Sequence, residues 1–272
     1  MSSTGRLLLE NALNVPFRLA NGALDPIVNI SWPTQDVARM NELGSDHQFL
    51  IFHGRHHETI PEYINALYHQ LIDGCASAAI ETGCVVDRDA GGVRRDENPA
   101  RVRYKIMPYH FSDRIGLRYE GAYWVSGMAV RETPDDVSFG MVDATSFALA
   151  EKLKETLVEL GPDPVLVFNP TGDNYSFQGL RRSPSLSAKE NRLSAQLTNL
   201  SAVTFDLQRA GIAPLAEPAV IVLESDGATR VILTGVLDSI SVSVGGSPAS
   251  SPEHGELVVD VSEGLTEIQL TP

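Results

Sequence analysis

Apolar positions recur along this chain with two different spacings, and the switch between them gives the first reading of its elements. Residues 34–43 (TQDVARMNEL) predict a short helix after Pro33, stopped at Gly44. The run Gln48 to His53 is short, apolar and bounded by polar residues, as expected of a strand buried on both faces. Thr59 and Glu62 then have the spacing of a capping box. Behind them Ile60, Tyr63, Ile64, Leu67, Leu71, Cys75 and Ala78 step by three and four, which predicts an amphipathic helix over 59–82.

The spacing is less regular in the middle of the chain. Charge, two glycines and a proline at 85–100 predict a loop or projecting β-arm. Val102, Tyr104 and Ile106 alternate with Arg101, Arg103 and Lys105, and a second β run spans about 116–131, with a turn near Ser112-Asp113-Arg114. A strand at 137–142 precedes a helix expected at about 145–160, carried by Phe147, Ala150, Leu153, Leu157 and Leu160 and closed by Gly161-Pro162. A strand at 164–168 follows, then a turn-rich loop to Ser185. Leu193, Leu197, Leu200, Val203 and Leu207 predict a long helix over 187–210.

Beyond Gly211 the period becomes two. Runs at 218–225 and 228–234 flank Asp226-Gly227, a dipeptide that favours hairpin turns, and further strands are expected at 236–244, 256–261 and 265–270. No repeat of 20–50 residues is present, which excludes a solenoid on this reading. The fold class expected is α/β or α+β. It is a mixed sheet flanked by the helices 59–82, 145–160 and 187–210, in a body of residues 1–211 with a small C-terminal all-β module at 212–272.

Charge narrows the partners. The chain has 272 residues and a net charge of −14, and residues 217–272 carry nine acidic residues against the single basic Arg230. Affinity for phosphate backbones and anionic membranes comes from segregated Lys and Arg, so neither nucleic acid nor membrane is an expected partner. Cys75 and Cys84 would sit about 13 Å apart along a helix, beyond disulfide reach, and neither has a C-x-x-C partner. The apolar run near the N-terminus is too short for a signal sequence, so the expected compartment is cytoplasmic.

Phosphate-loop, dinucleotide-binding and nucleophile-elbow motifs are missing, and Pro61 occupies the place of the second histidine of a zinc H-E-x-x-H motif. The densest chemistry is His53-Gly54-Arg55-His56-His57-Glu58, with His47 upstream, between a strand and a capped helix. In open α/β sheets, ligands bind at the carboxyl ends of strands, beside helix N-termini. Imidazoles with a carboxylate suit a divalent transition metal (Zn, Mn or Fe), for which His53, His56 (or His57 in its place) and Glu58 are the candidate ligands. His53, His57 and Glu58 are candidate catalytic groups, joined by Asp143 and Asp173 on two other strand-end loops. Arg55, Asn169, Asn174 and Tyr175 are candidate substrate-binding groups, Arg55 for an anion. Each position also has a plainer reading, as wet helix-start loop, turn residue or N-cap.

The function expected from these residues is an enzyme of hydrolase or lyase type acting on a small polar molecule, a carbohydrate or carboxylate. A self-assembling shell-like subunit, motivated by the arm at 85–100 and the acidic β module, is the rival reading; a homo-oligomer suits either. A ligand-binding module without catalysis is the third.

Overall fold

The structure is a computed structural model that describes residues 8–15, 17–57, 98–107, 120–132, 138–160, 175–214 and 216–272. Its contacts group the chain into two compact units, Met1–Arg94 with Thr156–Ser183, and Arg95–Glu155 with Pro184–Pro272. In chain order the strands are β1 Phe17–Gly22, β2 His47–Phe52, β3 Arg101–Ile106, β4 Val125–Val130, β5 Gly140–Ser146, β6 Lys154–Leu160 and β7 Tyr175–Pro184. They continue with β8 Arg192–Thr198, β9 Leu200–Asp206, β10 Ala219–Ser225, β11 Thr229–Thr234, β12 Ser241–Val244, β13 Ser247–Pro248, β14 Glu256–Val261 and β15 Gly264–Thr271. One α-helix, α1 Ser31–Leu43, stands among the described residues.

The first unit holds a four-stranded sheet in the order β1-β2-β7-β6. β1 and β2 are parallel, Phe17 opposite His47 through Gly22 opposite Phe52, and parallel neighbours need a crossover, which α1 supplies. α1 buries Val37, Met40 and Leu43 and ends at Gly44, whose φ of 64° lets the Ser45 N–H return to the Met40 carbonyl at 3.0 Å. Phe49, Leu50 and Phe52 are buried, so β2 is covered on both faces, as its apolar run predicts.

The second unit is built from two sheets, β13-β12-β15-β10-β8-β5-β3 and β14-β11-β9-β4. Four rungs cross both sheets, each made of two consecutive strands, one in each sheet: β4 and β5, β8 and β9, β10 and β11, and β14 and β15. The middle two rungs are parallel to each other, β8 with β10 and β9 with β11. The outer two run antiparallel to them. The core lies between the sheets and includes Trp124, Leu193, Leu197, Val203, Phe205, Leu223, Leu233 and Ile268.

This architecture corrects the expected fold class. Among the described residues the chain is mostly β, with sheets arranged like those of a β-solenoid, and does not form a mixed sheet flanked by the expected helices; the missing sequence repeat did not exclude such an arrangement. The helix expected at 187–210 is β8 and β9. Leu193, Ala195 and Leu197 point inward at period two; the phase then slips at Asn199, and Val203, Phe205 and Leu207 point inward again. Two period-two runs joined by a corner place leucines and valine at steps of four and three, which mimics a helix. At 145–160 the chain finishes β5, makes a 3-10 turn at Phe147–Lys152 and enters β6. There Phe147 lies 3.9 Å under the Arg192 guanidinium and Leu157 is half exposed, so neither forms the expected helical stripe. The segments 218–225 and 228–234 are strands, but Asp226-Gly227 is a corner between sheets, not a hairpin turn. The expected helix 59–82, the strand 164–168 and nearly all of the arm at 85–100 lie outside the described residues, as do Cys75 and Cys84.

Corners need substitutes for lost ladder bonds, and Asn199 provides them. Its amide donates to the carbonyls of Glu132 (2.9 Å) and Phe139 (3.0 Å), and its side-chain oxygen accepts the Glu132 N–H at 2.9 Å. The Asp226 carboxylate accepts the Asn199 N–H at 2.9 Å and the Arg131 guanidinium at 2.7 Å. Asn199 has a φ of 50°, a left-handed conformation that asparagine tolerates better than most residues. Asn199→Ala removes three bonds and adds strain, and should cost about 2–4 kcal/mol in urea unfolding. Asn199→Gly loses the bonds without the strain and should cost less. Wild-type stability for both variants would contradict this role.

Candidate functional site

Because β1 and β2 are parallel, their carboxyl ends open on the same edge of the sheet, and the loops after them meet there. The Ala23 N–H donates to the Phe52 carbonyl at 2.9 Å, and the Leu24 N–H to the Arg55 carbonyl at 3.0 Å. The approach requires glycine at 22, since a Cβ there would lie 2.3 Å from the Arg55 carbonyl oxygen. Asn21, buried in β1, braces the first loop by donating its amide to the carbonyls of Gly22 (2.9 Å) and Val28 (3.2 Å).

Asp25 stands on that braced loop. One carboxylate oxygen accepts the N–H groups of Ile27 (2.8 Å) and Val28 (2.9 Å), a local turn that aspartate forms readily. The other lies 2.8 Å from His57 Nδ1. The Asp25 side chain is only 1% exposed, whereas that of His57 is 44% exposed. Burial pushes the Asp25 carboxyl up, but the Val28 N–H, the His57 ring and the Ile27 N–H together outweigh it and hold the group below the usual carboxylate range. At neutral pH Asp25 is therefore ionised and can only accept, so His57 Nδ1 donates and Nε2 is left with its lone pair in the neutral ring.

The other expected residues divide between the units. His53 and His56 are exposed on the loop after β2, and Arg55 is half-buried. Tyr175 begins β7 and pairs in register with Phe52, next to the histidine loop. Asp143 belongs to the second unit, in β5, where its carboxylate takes both Arg101 nitrogens at 2.8 Å and lies 3.5 Å from Arg103. Glu58, Asn169, Asp173 and Asn174 lie outside the described residues.

The expected divalent-metal centre includes Glu58, which lies outside the described residues, so its full ligand set is not displayed. Among the described residues no group of three or more His, Cys, Asp or Glu side chains is placed to hold a metal ion. His57, expected as a catalytic group, is the histidine engaged by the buried Asp25 carboxylate. Asp25 was missed because residues 1–32 show no clean period. Its signal was turn chemistry, Asn21-Gly22 and Asp25-Pro26 just ahead of a helix.

No protein-family model matches this chain, and no curated protein and no solved structure matches it. Among the described residues no helix is long and apolar enough to cross a membrane.

Two outcomes follow from the loop geometry. Gly22→Ala forces the loops apart and should destabilise the protein by about 1–3 kcal/mol in urea unfolding; an unchanged midpoint would contradict the close approach. The depressed Asp25 carboxyl contributes stability that is fully present above the ordinary carboxylate range and is lost as pH falls from about 4 through its lower folded value. Asp25→Asn should flatten that acid limb in pH-dependent thermal unfolding, and identical limbs would contradict the assignment.

Proposed function

We propose that this chain is an enzyme that moves a proton on a small polar molecule, with His57 as the acid–base group and Asp25 as its positioning residue. The observation that carries this reading is the 2.8 Å contact between a buried, ionised carboxylate and a solvent-facing imidazole. A carboxylate at Nδ1 fixes the ring's tautomer and orientation and stabilises the imidazolium that forms when Nε2 takes a proton. Such a step serves proton abstraction beside a carbonyl or carboxylate, and elimination of the lyase type. The site's place at the carboxyl ends of two parallel strands adds support, since ligands in open sheets gather there. Tyr175, in register beside Phe52, borders the same loop. The substrate class is a small carboxylate or sugar with an acidified C–H.

Proton abstraction leaves a mark in heavy water. Small hydroxy- and keto-carboxylates and reducing sugars, incubated with the protein in D₂O, should exchange one C–H for C–D, read by proton NMR. His57→Ala and Asp25→Asn should each slow that exchange by roughly 10²- to 10⁴-fold. Exchange that survives His57→Ala undiminished would remove the histidine from the chemistry. A panel on which wild-type protein causes no exchange above buffer would contradict the reading for these substrate classes.

A further inference from the structure

Four strands end the two sheets of the second unit, and three of them carry features that discourage another strand from pairing. β13 has two residues, one of them Pro248. β3 carries Arg101, Arg103 and Lys105 at alternate positions. β4 is bulged, with register shifts after Ser126 and Ala129 and a φ of 56° at Gly127. β14 differs. It pairs with β11 without a bulge, from Thr229 opposite Val261 to Thr234 opposite Glu256, and contains no proline, lysine or arginine.

The direction of its main-chain groups follows from its neighbours. The Gly255 carbonyl accepts the Gly235 N–H at 3.0 Å, so Gly255 faces β11. Main-chain direction alternates along a strand, so Leu257, Val259 and Val261 also face β11. Glu256 faces the other way and is closed by Glu253, the two exchanging N–H···O bonds of 3.0 and 2.8 Å. Val258 and Asp260 therefore aim their N–H and C=O groups outward, and no described strand lies on that side of β14. Their side chains are exposed too.

Charge indicates what would pair there. Glu253, Glu256, Asp260 and Glu263 surround the edge, and the sequence has no lysine or arginine after Arg230, which stands opposite Asp260 on β11. A second copy presenting its own β14 would bring like charges together. We propose that the β14 edge is a docking site for an extended segment of another protein that carries Lys or Arg at alternate positions, added as a further strand beside Val258 and Asp260. Main-chain bonds to these two residues would give affinity, and the carboxylates would select the cationic face.

The probe is a fluorescein-labelled peptide, Lys-Thr-Lys-Val-Lys-Thr-Lys-Val, followed by anisotropy with the full chain. Wild-type protein should bind it, and the same peptide N-methylated at alternate residues should bind at least about tenfold more weakly, because it keeps the charge but loses the strand-pairing donors. Val258→Pro removes an outward N–H while leaving the β11 ladder intact, and should cause a similar loss. Glu256→Lys combined with Asp260→Lys should abolish binding and tests the site independently if the proline variant fails to fold. Equal binding of the two peptides, no binding by wild type, or wild-type affinity in a folded Val258→Pro variant would overturn the proposal. So would a concentration-dependent dimer, seen by size exclusion, that Val258→Pro dissolves, since the edge would then serve a second copy.

Discussion

Where this chain leaves a sheet, the ladder stops and main-chain N–H and C=O groups lose their strand partners. Short side-chain amides and carboxylates take the place of those partners at several points among the described residues. Asn199 and Asp226 bridge a corner between the sheets of the second unit. Asn191 holds the start of β8 to the segment before β10, accepting the Ala213 N–H at 2.9 Å and donating to the Glu217 carbonyl at 3.0 Å. Asp206 accepts the Arg209 N–H at 2.9 Å where β9 ends. In the first unit Asn21 and Asp25 stitch the loop after β1 in the same manner.

These substitutions let a strand change sheets within a few residues while both halves keep one face in the core. Without Asn199, the corner would lose the three bonds that its side chain makes to Glu132 and Phe139. The same economy positions the candidate site. Most of these polar groups serve only the main chain, whereas Asp25 gives one oxygen to the main chain and the other to His57. The function proposed for the chain rests on that division.

Sequence patterns were reliable where one element presented one period. The helix α1 ending at Gly44, the strand β2 after it, and the strands around 101–106 and beyond residue 218 were legible on that basis, whereas β1 was not. The patterns misled where a corner joined two strands. In β8 and β9 the slip at Asn199 turned two alternating runs into spacings of four, three, three and four, and Ala195 was too small to mark the alternation. The same limit hid the rung at Asp226-Gly227, because turn chemistry names a turn but not the sheet to which the next strand belongs. At the site, the histidine loop was legible as a cluster of chemistry on a strand end. Its partner was not, because Asp25 is 32 residues away from His57 in sequence and only the parallel pairing of β1 and β2 brings their loops together.

The central claim is that Asp25 fixes the proton of His57 on Nδ1. ¹⁵N NMR of the histidine side chains, with His57 assigned by its loss in His57→Gln, reads the tautomer directly. The account predicts that the neutral His57 ring is protonated at Nδ1 in the wild type, and that the Asp25→Asn variant shifts toward the mixture favouring Nε2 protonation that free imidazoles show. A wild-type ring protonated mainly at Nε2, or a tautomer ratio unchanged by Asp25→Asn, would contradict it.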